Sequence, residues 1–215
     1  MGLAKNKQYY SWVREDLIEL VQGQGNKILE IGCGEGNLGR ELKRSGKAQE
    51  VIGIEIVPEI AVRAIPNLDR VIQGNIEHLE LPFEPDYFDY IIMGDVIEHL
   101  IDPWGCLTRI RLFLKPTGSI VASIPNINHW RVLADLIFRD KWEYKQAGTL
   151  DSTHLRFFTK QSVSDLFIRS GYGIERIMVQ KSTNPLILGL NVLTLKKGER
   201  FLAYKYIVRA QKIVS

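Results

Sequence analysis

The chain is 215 residues long, 45% hydrophobic and 25% charged, with a net charge of +3; these are the proportions of one globular domain that can bury its own core, not of a disordered or fibrous chain. So small an excess of cations does not argue for nucleic acid, and Lys196, Lys197, Arg200, Lys205, Arg209 and Lys212 read as solvated surface. Cys33 and Cys106 make no disulfide framework, and the longest apolar run, Pro185 to Leu195, is short and holds Gly189 and Asn191, so a cytoplasmic protein without a membrane span is expected.

From Tyr9 to Val21 the spacing predicts a helix with Val13, Leu17, Leu20 and Val21 on one face. Tyr9 and Tyr10 at its start either close over a ligand or pack at the helix entry. Gly23 and Gly25 end the segment. Lys27 to Ile31 is an apolar run of the kind that makes a buried parallel strand, and Gly32, Gly34 and Gly36 follow at alternate positions. The chain must turn tightly there and leave bare backbone for a ligand. Asn37 then opens a helical segment with Leu38 and Leu42, which completes the strand, glycine loop and helix of a nucleotide-cofactor site. A dinucleotide fingerprint starting at Gly32 needs its third glycine at position 37, which is Asn37. What stands instead is E-x-G-x-G-x-G from Glu30, and an acid there suits a cationic cofactor better than a pyrophosphate. An ordinary glycine-rich turn is the alternative.

This stretch resembles motif I of the class I S-adenosylmethionine-dependent methyltransferases. The resemblance implies that Glu30, Gly32, Cys33, Gly34 and Gly36 form the first part of the cofactor site. Val51 to Glu55 reads as the second strand, and Glu55 at its tip can accept hydrogen bonds from both ribose hydroxyls, or else is a surface glutamate before Pro58. Ile56 joins the same set. After a short third strand, Val71 to Gln73, the resemblance expects an Asp facing the adenine amino group. Asn75 stands there, an amide that can still accept, with Ile76 adding backbone contacts and apolar packing.

Phe88 to Met93 is the fourth strand, and Gly94 and Asp95 follow where the cofactor's methionine end and reacting methyl are expected. Asp95, Glu98 and His99 share one face if a helix begins here, and Asp95 with Glu98 equally fits a helix-capping box. Trp104 to Leu114 is the next helix, Pro116 to Gly118 a turn, and Ser119 to Ile124 the fifth strand. LKPTGSIVASIPN resembles the L-K-P-G-G-x-x-x-x-S-x-P-N stretch of the same family, with Thr117 for one glycine. Residues 127–153 carry Trp130, Phe138, Trp142 and Tyr144 among charges and read as a helical insertion that covers the strand ends and selects the substrate. Thr159 caps a helix carrying Val163, Leu166 and Phe167, and Gly171 ends it. Gly173 to Lys181 and Tyr204 to Lys212 are the last strands, the final one at or near the sheet edge. Ser182 to Ala203 has no assignable role.

The resemblance covers about residues 8 to 212. It implies an α/β, Rossmann-like doubly wound sheet of seven strands, mostly parallel with one antiparallel, in one domain over residues 1–215. Within the family, DVIEHL and THLRFFT resemble segments of ubiquinone-biosynthesis O-methyltransferases, small-RNA 2′-O-methyltransferases and methyltransferases of glycan loci. In the first two groups an acid, a Glu-His pair and a later His bind a divalent metal. That implies Asp95, Glu98, His99 and His154 as ligands of Mg, Mn or Zn, with Asp95 where Glu is usual. Alternatively His154 is a lone general base, or a ring that caps a turn. The catalytic set is His154, Asp95 and His99, and the expected acceptor is a hydroxyl on a sugar, glycolipid or quinone precursor. Nucleic acid is not expected, because no basic stripe with interleaved stacking aromatics is present. A non-catalytic cofactor-binding subunit is the alternative from a different class, and an RNA ribose methyltransferase is the other alternative. The sequence does not define an oligomeric state.

Overall fold

The structure is a computed structural model that describes residues 14–181 and 198–213. Tyr9, Tyr10, Val13 and most of the Ser182 to Ala203 patch therefore lie outside the described residues. In chain order the elements are α1 (Glu15–Ile18), β1 (Asn26–Ile31), α2 (Asn37–Arg44), β2 (Ala48–Glu55), α3 (Pro58–Ala64), β3 (Arg70–Gln73), β4 (Phe88–Gly94), a 3-10 turn (Ile97–His99), α4 (Pro103–Ile110), a second 3-10 turn (Arg111–Phe113), β5 (Leu114–Pro125), α5 (Trp130–Arg139), α6 (Lys160–Arg169), β6 (Tyr172–Lys181), α7 (Glu199–Leu202) and β7 (Ala203–Lys212).

All seven strands form one sheet in the order β3-β2-β1-β4-β5-β7-β6. Pairing is parallel through β5 and antiparallel on both sides of β7. The seven-stranded doubly wound sheet with one antiparallel strand near an edge is thus present, β6 being the edge and β7 its neighbour. The strand order reverses between β1 and β4, which opens a crevice at their carboxyl ends.

Alternation along the strands sends side chains to two cores. On one face Ile28, Val51 and Ile92 meet Leu17, Leu38, Leu42 and Leu68. On the other Leu29, Ile31 and Ile91 meet Leu107 of α4 and Val163, Leu166 and Phe167 of α6. Capping chemistry fixes where several helices start. Asp102 accepts from the Gly105 N–H at 3.0 Å before Pro103, and Thr159 and Ser162 form a reciprocal capping box for α6.

Three local expectations change. The expected helix after Trp104 stops at Ile110 and finishes as a 3-10 turn. The expected turn at Pro116 to Gly118 falls inside β5 as an irregularity of three extra residues, since Phe88 pairs with Leu114 and Tyr90 with Ser119. Asp95 to His99 makes only a 3-10 turn, because Asp95 leaves β4 in the left-handed region at φ 57° and Val96 takes the cap position. The carboxylate that does cap a helix is Asp102.

After β5 the chain leaves the alternating scheme, forms α5 and returns at Phe158, which bridges Asn126 and accepts from the Ile127 N–H at 2.9 Å. The returning segment docks on the first 3-10 turn, where Leu155 and Arg156 N–H groups donate to the Glu98 carbonyl at 2.8 and 3.0 Å. The excursion is therefore closed at its base and lies over the carboxyl ends of β4 and β5.

Candidate functional site

The glycine loop follows β1 directly. Gly32, Gly34 and Gly36 have φ values of 71°, 54° and 76°, and a Cβ on Gly32 would stand 2.5 Å from Val96 Cγ2, so both dihedral and space require glycine there. Gly32 and Cys33 N–H groups donate to the Ile54 carbonyl at 2.8 and 3.1 Å, which fastens the loop to the end of β2. Glu55, at that end, is buried; its Oε2 accepts from the Gly34 N–H at 3.0 Å and its Oε1 from the Val57 N–H at 3.0 Å. A carboxylate has about four lone-pair sites, so Glu55 retains acceptor capacity for a ribose-like diol.

The other residues of the expected cofactor set differ in what their side chains face. Glu30 is buried beneath the loop; burial pushes its carboxyl up to about 8, a backbone bond from Gly39 works against this, and repulsion by Glu55 adds to it. Cys33 turns its side chain into the core toward Gly53, and burial raises its thiol pKa, so only backbone of this residue can face the crevice. Ile56 is 57% exposed. Asn75 Oδ1 accepts from the Glu77 N–H at 2.9 Å in its own turn, and Ile76 is in the core, its carbonyl accepting from Arg109. An amide oxygen has two lone pairs, so Asn75 Oδ1 can still accept a second hydrogen bond.

Asp95, across the crevice from the loop, is the centre of an ionic cluster. Arg14 Nη1 donates to its Oδ2 at 2.7 Å, Lys205 Nζ donates to the same oxygen, and Ser123 Oγ donates to Oδ1 at 2.9 Å. The Asp95 N–H contacts the Ser123 carbonyl and hydroxyl at 3.2 and 3.0 Å. Burial opposes ionisation, but Lys205 and Arg14 outweigh it and hold the carboxyl below the usual carboxylate range.

Glu98, His99 and His154 form a separate cluster whose donor atoms lie within 4.8 Å of one another. His99 Nδ1 donates to the Thr153 carbonyl and His154 Nδ1 to the Thr149 carbonyl, each at 3.0 Å. With Nδ1 as the donor, Nε2 is the ring nitrogen left to serve as a ligand atom. His154 Nε2 is 3.9 Å from Glu98 Oε1, and the two rings meet edge to face with centroids 4.8 Å apart. The structure thus brings together three of the four residues expected to bind metal and places Asp95 in a different charge cluster.

Between the two clusters and α5 lies a cavity of about 270 Å³, bounded by Asp95, Glu98, His129, His154, Tyr204 and Lys205 among others. Sequence reasoning did not single out Arg14, Ser123, His129 or Tyr204, and it read Lys205 as solvated surface. Ser123 lies within the LKPTGSIVASIPN stretch and His129 three residues beyond it; Arg14, Tyr204 and Lys205 carry no local signal and arrive through long-range pairing, Lys205 because antiparallel register sets it opposite Pro125.

Strand order, glycine loop and crevice place the protein among the class I S-adenosylmethionine-dependent methyltransferases. The chain belongs to the family described as methyltransferase domain, whose family model matches residues 6–177. It is similar to the ubiquinone biosynthesis O-methyltransferase of Cereibacter sphaeroides, 30% identical over 162 residues that make up 73% of this chain and 64% of that protein. The aligned region thus spans less than two thirds of that relative's length. It also resembles the demethylmenaquinone methyltransferase of Staphylococcus saprophyticus, 24% identical over 192 residues and 80% of each chain. Solved structures share the fold: a methyltransferase from Archaeoglobus fulgidus has a TM-score of 0.69 at 19% identity, covering 96% of this chain and 95% of that one. A second, from Mesorhizobium loti, has a TM-score of 0.65 at 18% identity over 98% and 100% of the two chains.

Proposed function

We propose that the protein transfers the methyl group of S-adenosylmethionine to a hydroxyl oxygen of a small polar or amphipathic molecule: a quinone precursor, a sugar or a glycolipid. The observation that carries this reading is the cavity itself, which joins the Asp95 end of the cofactor crevice to the Glu98 and His154 cluster beneath the insertion. A space of about 270 Å³ suits a small molecule. The name of the Cereibacter sphaeroides relative supports an oxygen of a quinone precursor as acceptor. Glu55 and the loop backbone bind the nucleoside, and the walls hold the acceptor oxygen in line with the sulfonium, which supplies much of the acceleration.

Glu98, His99 and His154 fit a divalent ion such as Mg, Mn or Zn: one buried carboxylate and two imidazoles, each ring oriented by an Nδ1 bond to a backbone carbonyl. When bound, such an ion lowers the pKa of a hydroxyl. Within this proposal Asp95 orders the Arg14 and Lys205 side chains and is not a metal ligand.

The test is transfer of radiolabelled methyl from S-adenosylmethionine into separated metabolite, lipid, sugar and RNA fractions of a cell extract, with calorimetry against the cofactor and NAD. Label in a small-molecule or lipid fraction is expected. Cofactor binding without transfer to any fraction would favour a non-catalytic subunit, label in RNA a ribose methyltransferase, and an NAD preference would end the reading. Full transfer after exhaustive chelation would remove the metal.

A further inference from the structure

We propose that the molecule bound in the cavity carries an anionic group, a carboxylate or a phosphate, and that Arg131 and Lys145 of the insertion hold it. The proposal rests on the methyltransferase reading above and narrows the substrate class of that same site. Arg131 lies in the first turn of α5, Lys145 lies in the loop beyond the end of that helix, and both line the cavity of about 270 Å³.

The orientation of α5 is the first support. Arg131, Asp135 and Arg139 recur every fourth position and form one charged stripe, and the rest of the helix is apolar. A surface helix ordinarily turns such a stripe to water and its apolar side to the core. Here Arg131, Val132 and Asp135 line the cavity, none of the helix residues is buried, and Ile137 and Phe138 are 69% and 83% exposed. Core packing does not account for a helix set this way round. Carrying charge to the cavity wall does.

The charge balance of the wall is the second. Its carboxylates are already engaged: Asp95 with Arg14 and Lys205, Asp135 with Arg139 at 2.9 Å, and Glu98 with the histidine cluster. Asp151 Oδ1 accepts from the Thr153 N–H and hydroxyl at 2.9 and 2.6 Å. Arg131 and Lys145 have no carboxylate partner among the described residues. The Arg131 guanidinium lies 5.5 Å from the Trp130 ring centroid, a contact to the ring face that leaves its N–H donors available. Its field reaches the cavity wall, since burial, reinforced by Arg131, pushes the His129 pKa down to about 4. Lys145 is placed by its backbone, whose N–H donates to the Leu150 carbonyl and whose carbonyl accepts from the Ser152 N–H, each at 2.8 Å. The uncompensated charge over the cavity is therefore positive. A guanidinium fork matches the paired oxygens of a carboxylate or phosphate, and an ammonium adds a point charge.

The experiment has two readouts, both using the extract fraction that the wild type labels with radioactive methyl. In the first, the labelled product is passed over an anion exchanger at neutral pH and is expected to be retained. Retention abolished by alkaline phosphatase identifies a phosphate, and retention that survives the phosphatase but is lost on amidation identifies a carboxylate. In the second, Arg131→Gln, Lys145→Gln and Arg131→Lys are compared with wild type. Each Gln variant should raise the half-saturating amount of the fraction ~10-fold with kcat and calorimetric affinity for S-adenosylmethionine unchanged, and Arg131→Lys should recover part of the loss. Added salt should weaken half-saturation of the wild type more than that of either Gln variant. A labelled product that passes the exchanger unretained overturns the proposal. Gln variants that saturate like wild type, or that lose kcat or cofactor binding instead, assign the two cations a solvated or structural role and overturn it equally. A wild type that transfers no methyl overturns the methyltransferase reading and this proposal with it, whereas an active wild type making an uncharged product overturns this proposal alone.

Discussion

Replacing Asp95 by Asn tests the charge cluster at the mouth of the site. Asp95 sits at φ 57°, a conformation that Asn adopts with little strain. Asp95→Asn therefore leaves the backbone and the Ser123 bond in place and removes only the charge that Arg14 and Lys205 share. A hydrogen bond to a charged group contributes about 1.5–3 kcal/mol, but the two lost here are not equal. The Lys205 side chain is 30% exposed and can turn to water, so its share is that of a surface pair, about 0–1 kcal/mol. The Arg14 side chain is 17% exposed and keeps a second partner, Asp16, at 3.0 Å. A net loss of about 2–3 kcal/mol follows, or ~4–12 °C in melting temperature for a chain of this size. The effect should depend on pH in one direction. The folded Asp95 carboxyl lies below its ordinary range, so its stabilisation is present above the unfolded pKa of about 3.9 and is lost as pH falls through the folded value. Thermal melts followed by circular dichroism should show wild type well above the variant at neutral pH and the two converging in acid. A gap under about 1 °C at neutral pH, smaller than even ~1 kcal/mol would produce, or one that stays constant into acid, would refute the assignment of the stabilisation to this carboxylate.

Glu30, raised to about 8 mainly by burial, works in the opposite sense. The folded chain holds a proton that the unfolded chain releases between 4.5 and about 8, so stability falls as pH rises across that window. Glu30→Gln, neutral and nearly isosteric, should match wild type at the acid end and exceed it at the alkaline end; an unchanged pH slope would count against Glu30. Glu55→Ala should weaken S-adenosylmethionine binding by about 1–3 kcal/mol, the usual cost of leaving charge-assisted bonds unmade. Calorimetry that found unaltered affinity would remove Glu55 from the ribose site.

The glycine loop, Glu55 and the strand series were legible because each rests on local covalent chemistry: three glycines in left-handed or tight conformations, and an acid ending an apolar run. The α6 start was legible for the same reason, a Thr cap with its capping partner three residues on. Asp95 to Glu98 carried an equally good local cap pattern and yet formed no α-helix. There the left-handed Asp95 and its bonds to Ser123 bind the residue to β5, and the stronger start at Asp102 and Pro103 takes the helix. The partners of Asp95 were illegible in principle, since Arg14 is 81 residues away in sequence and Lys205 is 110. His129 follows no ligand spacing, and only its burial and the cavity beside it distinguish it from a helix-entry histidine.

The antiparallel course of β7 explains why Tyr204 and Lys205 are in the site at all. In a doubly wound sheet the working edge is the carboxyl edge of the parallel strands. A parallel strand beside β5 would set its own carboxyl end, near Lys212, at that edge. Because β7 runs the other way, its first residues lie there instead, with Tyr206 opposite Ile124 and Lys205 opposite Pro125. Tyr204 then receives the ring of His129, and its carbonyl accepts from the Asn126 N–H at 3.0 Å. The base of the insertion is thereby fastened to β7 as well as to Phe158. An error in β7 register would displace the Asp95 ion pair, the His129 stack and the Asn126 anchor together, so these three features should be lost or kept as one unit.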